Sequence, residues 1–130
     1  KDEPYRYASG QPVNNWDNKY IGSARVRYAI EHSMNVCAVR TLTETVGLEK
    51  GYKYLENFGF TTLVNNDPNY PGMSDIAQAT ALGGITRGVY NIEMTAAYAA
   101  IANSGIYTEP LLYTEILDHD ATVLIDNSNL

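Results

Sequence analysis

From Val26 onward the apolar positions recur at helical spacing. Val26, Ala29, Ile30 and Ser33 stand at i, i+3, i+4 and i+7 and share one face, which predicts a helix that Ser23 can cap. A break is expected at residues 33–35. A second helical stretch then rests on Val36, Val39, Thr43 and Val46, with Ala38 and Leu42 beside them, and stops at Gly47. Gly51, Tyr54, Leu55 and Phe58 repeat the spacing, and Gly59 ends that third helix. Residues 61–72 form a loop, because residues 65–72 hold two prolines and four Asn or Asp residues. Ser74 is placed to cap a fourth helix that runs to about Leu82, where Gly83-Gly84 stops it. Asn91 is placed to cap a fifth, with Met94, Ala97, Tyr98 and Ile101 as its apolar stripe and Gly105 as its exit. The alanines at 96, 97, 99, 100 and 102 let another element approach that helix closely.

The two ends of the chain lack this period. Residues 1–22 are polar and turn-rich, with neither a two-residue nor a 3.6-residue repeat, and read as an extended arm. After Pro110 the pattern shortens, and residues 111–117 and 122–125 read as two strands around Asp118-His119-Asp120-Ala121. That turn has no glycine, so Asp120 is the expected residue at positive φ. A lone hairpin is marginally stable, and the sheet it starts is expected to be completed by residues outside this chain. The fold class is therefore α+β: an arm at 1–22, a helical part at 23–105 and a hairpin at 106–130, without repeats or linkers.

Composition narrows the chemistry. With 130 residues, 45% hydrophobic and 18% charged, the chain has ordinary globular balance. A net charge of -6 is the wrong sign for gripping phosphates or an anionic membrane surface, so nucleic acid is not an expected partner. No apolar run is long enough to cross a membrane, so no membrane contact is expected from this segment. The first residues, Lys1-Asp2-Glu3-Pro4, include neither an initiator Met nor an apolar signal, and the chain is expected to be an interior piece of something longer. Eleven tyrosines against two phenylalanines and one tryptophan suggest half-buried rings.

Most candidate sites dissolve on spacing. Asp118-His119-Asp120 could begin a calcium loop, but position six is Val123 and position twelve Asn129, so a solvated turn and no metal is the better reading. His32 and Ser33 are sequence neighbours and point apart on a helix, which excludes a conventional triad. Cys37 sits among Val36, Ala38 and Val39 and reads as a small buried apolar residue. Gly83, Gly84 and Gly88 lack the Gly-Lys-Ser/Thr of a phosphate loop, and no cofactor is implied. What remains is Ser33-Met34-Asn35, a tripeptide short enough to arise by chance. Its place is more telling, since a break between two helices can present a hydroxyl and a carboxamide to one cleft.

Several separated blocks then agree. The run from Asn15-Trp16-Asp17 through Tyr20-Ile21-Gly22-Ser23, the stretch Arg27-Tyr28-Ala29-Ile30-Glu31-His32-Ser33-Met34-Asn35-Val36, then Val46-Gly47 and Phe58-Gly59-Phe60, resemble the transpeptidase domain of penicillin-binding proteins. Ala81-Leu82-Gly83-Gly84 with Arg87-Gly88-Val89, Glu93-Met94, and the alanine-rich run to Asn103-Ser104-Gly105, resemble the class A, bifunctional members most. That family shares one cleft among Ser-x-x-Lys, Ser-x-Asn and Lys-Thr-Gly. Only the middle motif is here: no serine has Lys three residues on, and no lysine precedes Thr-Gly.

The resemblance implies a β-lactamase-like serine D,D-transpeptidase fold and a parent that cross-links peptidoglycan stem peptides through a serine acyl-enzyme that β-lactams also acylate. The nucleophile and the Lys-Thr-Gly strand would belong to the remainder of the domain, and this segment alone would be inactive. Ser33 would be the proton-relaying motif serine, and Asn35 the asparagine that orients the substrate amide. Trp16 would border the cleft as a substrate contact or anchor the arm. The parent would work on the outer face of the bacterial cytoplasmic membrane, anchored by a helix elsewhere, with a glycosyltransferase domain beside it. A D,D-carboxypeptidase, a β-lactamase-like hydrolase and a noncatalytic binding module are the rival readings.

Overall fold

The computed structural model describes residues 1–128, so the last two positions of the expected hairpin region, including Asn129, lie outside the described residues. The arm folds back on itself. Strands β1 (Tyr5–Arg6) and β2 (Pro12–Val13) pair antiparallel, with Tyr5 opposite Val13, and an Asp2–Gly22 bridge closes the loop. Helices α1 (Val26–Glu31) and α2 (Asn35–Arg40) follow, and a π-helical segment, Thr41–Val46, continues α2 without interruption. Helix α3 (Leu48–Asn57), a 3-10 segment (Gln78–Leu82) and helix α4 (Asn91–Ala102) come next. Strands β3 (Glu115–Leu117) and β4 (Val123–Asp126) form a second antiparallel pair, with a register shift after Ile116. Helices with two small antiparallel sheets make an α+β arrangement.

The core sits where the arm meets α2. Val13, Val36 and Val39 are fully enclosed, and Tyr5, Tyr7 and Ala81 pack against them. Gly47 ends the second helical stretch at φ 88°, a conformation that a Cβ would disfavour. Gly59 ends α3 at φ 81°, where an added Cβ would also strike the Tyr107 hydroxyl.

Several expected details are corrected. Ser23 does not cap α1, which starts at Val26 after an extended Arg25 with no side-chain cap. Tyr54 is exposed although Leu55 and Phe58 on the same helix are half-buried. Ser74 starts no helix either: it is bridged to Asn65, and its Oγ accepts the Ile76 amide at 3.2 Å. The reason is Asp75, whose own amide donates to the Val64 carbonyl at 2.7 Å and is thereby committed away from a helical ladder. Its buried carboxylate accepts Val64 N–H, Thr86 N–H and the Thr86 hydroxyl, which leaves only the short 3-10 segment to close on Gly83 at φ 79°.

In α4 the cap position is Tyr90, and Asn91 is the first helical residue. Of the expected stripe only Ala97 is enclosed, while Met94, Tyr98 and Ile101 are 40%, 68% and 64% exposed; the enclosed face is Glu93, Ala96, Ala97 and Ala100. Glu93 sets that rotation by accepting both the Thr61 amide and the Thr61 hydroxyl. In the hairpin turn, positive φ falls on Ala121 at 65° rather than on Asp120, whose carboxylate accepts the Thr122 amide.

The chain exposes 9387 Å², against about 6,800 Å² for a self-contained folded monomer of 14.4 kDa. The surplus, roughly 2,500 Å², is larger than the ~800 Å² that one partner contributes to a standard interface. Much of it is apolar. Val26 and Ile30 on α1 are 77% and 74% exposed, and every residue from 111 to 126 is exposed.

Candidate active site

Helix α1 ends in a two-bond motif that usually needs glycine. Ser33 N–H donates to the Ile30 carbonyl at 3.1 Å, Met34 N–H donates to the Ala29 carbonyl at 2.9 Å, and Ser33 takes the left-handed conformation at φ 50°. A residue with a Cβ is held there at a cost of about 1 kcal/mol. The reversal lets α2 begin only two residues later. Met34, extended at φ -80° and ψ 102° and buried, occupies the cap position of α2, and Asn35 is its first residue.

Ser33 and Asn35 therefore flank one buried methionine, and both line a groove of about 670 Å³. Val26 and Ile30 of α1 and Cys37 and Ala38 of α2 supply much of its wall. Asn35 is fixed by a bond from its Nδ2 to the Asn14 carbonyl at 2.9 Å, which leaves its Oδ1 to accept. Cys37 is half-buried on this wall rather than in the core, and burial pushes its thiol pKa up, helped by the negative charge of Asp2. Burial disfavours the thiolate, which argues against a nucleophilic role for it.

Trp16 lies elsewhere. It is 77% exposed and lines a separate dimple of about 60 Å³ with Tyr28 and His32, whose rings stack at 3.8 Å. Met34 lines both concavities, so the 33–35 turn divides them. The Asp118-His119-Asp120 turn is solvent-exposed; the His119 ring and amide hold the Asp118 carboxyl below its usual range, and the Thr122 hydroxyl and amide do the same for Asp120.

Two residues with a part in the site are not singled out by the sequence, although Asn15 opens one of the family-like runs. Asp2 and Asn15 are buried polar side chains in the arm, and they hold the start of α2. Nothing in a turn-rich polar run distinguishes these two from their exposed neighbours.

The comparisons with known proteins agree along the chain. A family model described as the penicillin binding protein transpeptidase domain matches residues 1–129. Penicillin-binding protein 1A of Streptococcus oralis is 36% identical over 125 residues, covering 93% of this chain and 18% of that protein. Penicillin-binding protein 1A of Clostridium acetobutylicum is 38% identical over 130 residues, covering 98% of this chain and 15% of that protein. Penicillin-binding protein 1A/1B of Bacillus subtilis is 30% identical over 125 residues, covering 95% and 13%. The chain thus spans less than a fifth of the length of these relatives. On a match that runs from the arm to the hairpin, this chain belongs to the penicillin-binding protein transpeptidase family, and its relatives are class A members.

Proposed function

We propose that this chain is the middle segment of a peptidoglycan D,D-transpeptidase domain, with Ser33 and Asn35 as its contribution to the active site. The observation that carries the reading is their joint placement: one hydroxyl and one carboxamide on the same groove, held at a helix–helix reversal. In the reaction, a serine of the remaining domain attacks the carbonyl between two D-alanines of a stem peptide. The C–N bond breaks, the terminal D-Ala leaves with a proton, and the acyl group passes to the amine of a neighbouring stem. A hydroxyl can accept and donate together, so Ser33 suits the relay that delivers the proton to the leaving amine. Asn35 orients the substrate amide and a lysine of the remaining domain. Trp16, across Met34 from the groove, is a candidate contact for the outer part of the substrate.

The surplus apolar surface supports packing against the remainder of a β-lactamase-like domain. In this reading the domain segments are an arm at 1–22, a helical part at 23–105 and a hairpin region at 106–130, of which 129–130 lie outside the described residues. No helix among the described residues is long and apolar enough to cross a membrane. An anchor elsewhere would keep the parent on the outer face of the bacterial cytoplasmic membrane, with a glycosyltransferase domain beside it. β-Lactams would acylate the same serine.

The test is acylation by a fluorescent penicillin in the longer protein. Ser33→Ala should slow it by about 10²–10⁴-fold, the usual worth of a positioned proton transfer. Unchanged kinetics in a folded variant would remove Ser33 from the relay. The 130-residue chain alone should show no mass increase after incubation with penicillin, and an adduct of one equivalent would place a nucleophile within it.

A further inference from the structure

Helix α2 begins without a cap of its own. The amide of its second residue, Val36, should be met by an oxygen from the cap residue, but that residue is Met34, which has none to offer. Asn15, twenty-one residues away, supplies it: its Oδ1 accepts Val36 N–H at 3.2 Å. Asn15 is 4% exposed, so an unmade bond there could not be replaced by bulk water.

The carboxamide is also fixed in orientation. Its Nδ2 donates to the Lys19 carbonyl at 2.8 Å and to Asp2 Oδ1 at 2.8 Å. Asp2 is fully buried, and its Oδ2 accepts the Ile21 amide at 2.9 Å. An ionised carboxylate only accepts, so Asp2 forces the amide end of Asn15 toward itself and the oxygen toward α2. The preceding carbonyl, Asn14, takes the Asn35 side chain. The arm thus grips the turn twice, once at the Val36 amide and once at the motif asparagine.

We propose that Asn15, oriented by Asp2, is a positioning residue that fixes the 33–35 turn for acyl transfer. This rests on the reading of Ser33 and Asn35 as motif residues. Misplacement by an ångström is enough to slow a positioned reaction by up to about a hundredfold, without loss of substrate affinity.

The test uses the longer protein carrying this segment, with fluorescent penicillin titrated to saturation and the thermal unfolding midpoint measured beside it. Asn15→Asp sets two carboxylates face to face and should lower the saturating acylation rate by about ten- to a hundredfold, with the half-saturating concentration little changed. The exchange variant, Asp2→Asn with Asn15→Asp, restores a donor facing an acceptor between residues 2 and 15 but not the bond to the Lys19 carbonyl, and should recover a measurable part of that rate. A saturating rate unchanged in Asn15→Asp, or lowered only by the fraction unfolded at the assay temperature, overturns the proposal. Should Asn15→Asp fail to fold, Asn15→Ala decides, since it removes the oxygen that meets Val36 N–H: a folded Asn15→Ala that acylates about tenfold or more slowly at saturation upholds the proposal, and one at the normal saturating rate overturns it. Ser33→Ala runs in parallel. If Ser33→Ala is slow and the Asn15 series is normal, only the positioning role falls; if Ser33→Ala is normal, the motif reading itself falls.

Discussion

The irregular arm and the regular C-terminal hairpin are built on opposite principles. The arm has almost no repetitive structure, yet it places Asp2, Val13 and Asn15 out of solvent. The hairpin has a proper antiparallel ladder, yet none of its strand residues is buried. Residues 61–88, between α3 and α4, follow the arm's principle, with Asp75 at their centre, and Asp2 does the same work in residues 1–22. A buried carboxylate surrounded by backbone amides can organise irregular chain because each bond it accepts removes an orphan donor. A strand pair satisfies its backbone by itself but gains burial only when something covers its faces.

Removing a central carboxylate should produce the largest effect. Asp75→Ala leaves the Val64 and Thr86 amides without their acceptor inside the fold, and should destabilise by about 3–5 kcal/mol, read by urea unfolding. A loss below about 1 kcal/mol would mean that residues 61–88 are held by their apolar contacts instead.

A smaller effect is expected from acid. Glu3 reaches Arg40 at 2.9 Å, and Arg40 also stacks over the Tyr5 ring at 5.4 Å. The hydrogen bond from Arg40 holds the Glu3 carboxyl below its ordinary pKa. A lowered folded-state pKa means that the contribution is full above the ordinary carboxylate range and is lost as pH falls through the folded value. The arm should therefore loosen at its outer edge only below about pH 4. Tyr5 ring resonances followed from pH 7 to 3 would show it, and high salt should mimic it because the pair is open to solvent. A shift already complete by pH 5 would point to another group.

The smallest effect belongs to the hairpin. Leu124→Ser should change the stability of the 130-residue chain by less than about 0.5 kcal/mol, since Leu124 is already in water. In the longer protein the same change should cost about 2 kcal/mol or more, provided the sheet is covered there. Equal and small effects in both would show that the hairpin stays uncovered and erase the contrast with the arm.

What the sequence reveals divides along the same line. Helix ends written in glycine, at Gly47, Gly59 and Gly83, are legible because positive φ is a property of one residue, whereas α4 turns at Ser104, φ 57°, one residue before the expected Gly105. The break at 33–35 is legible too, as a loss of period. The cap at Ser74 misleads because the Asp75 amide is already committed to the Val64 carbonyl, and those at Ser23 and Asn91 because α1 starts only at Val26 and α4 already at Asn91. The apolar stripe of α4 misleads except at Ala97, because the bonds that Thr61 donates to Glu93 turn the alanine face inward. Ser33 and Asn35 could be picked out through a motif and its context. The roles of Asn15 and Asp2 could not, because they depend on partners up to 21 residues away.

The left-handed serine at 33 has a consequence for how this segment can drift. Glycine is the one residue that would relax the turn, so a screen that rewards only thermal tolerance should collect Ser33→Gly. The same change deletes the hydroxyl. Selection for robustness and selection for acyl transfer would then pull in opposite directions at one codon, and serine persists there only while the second is stronger.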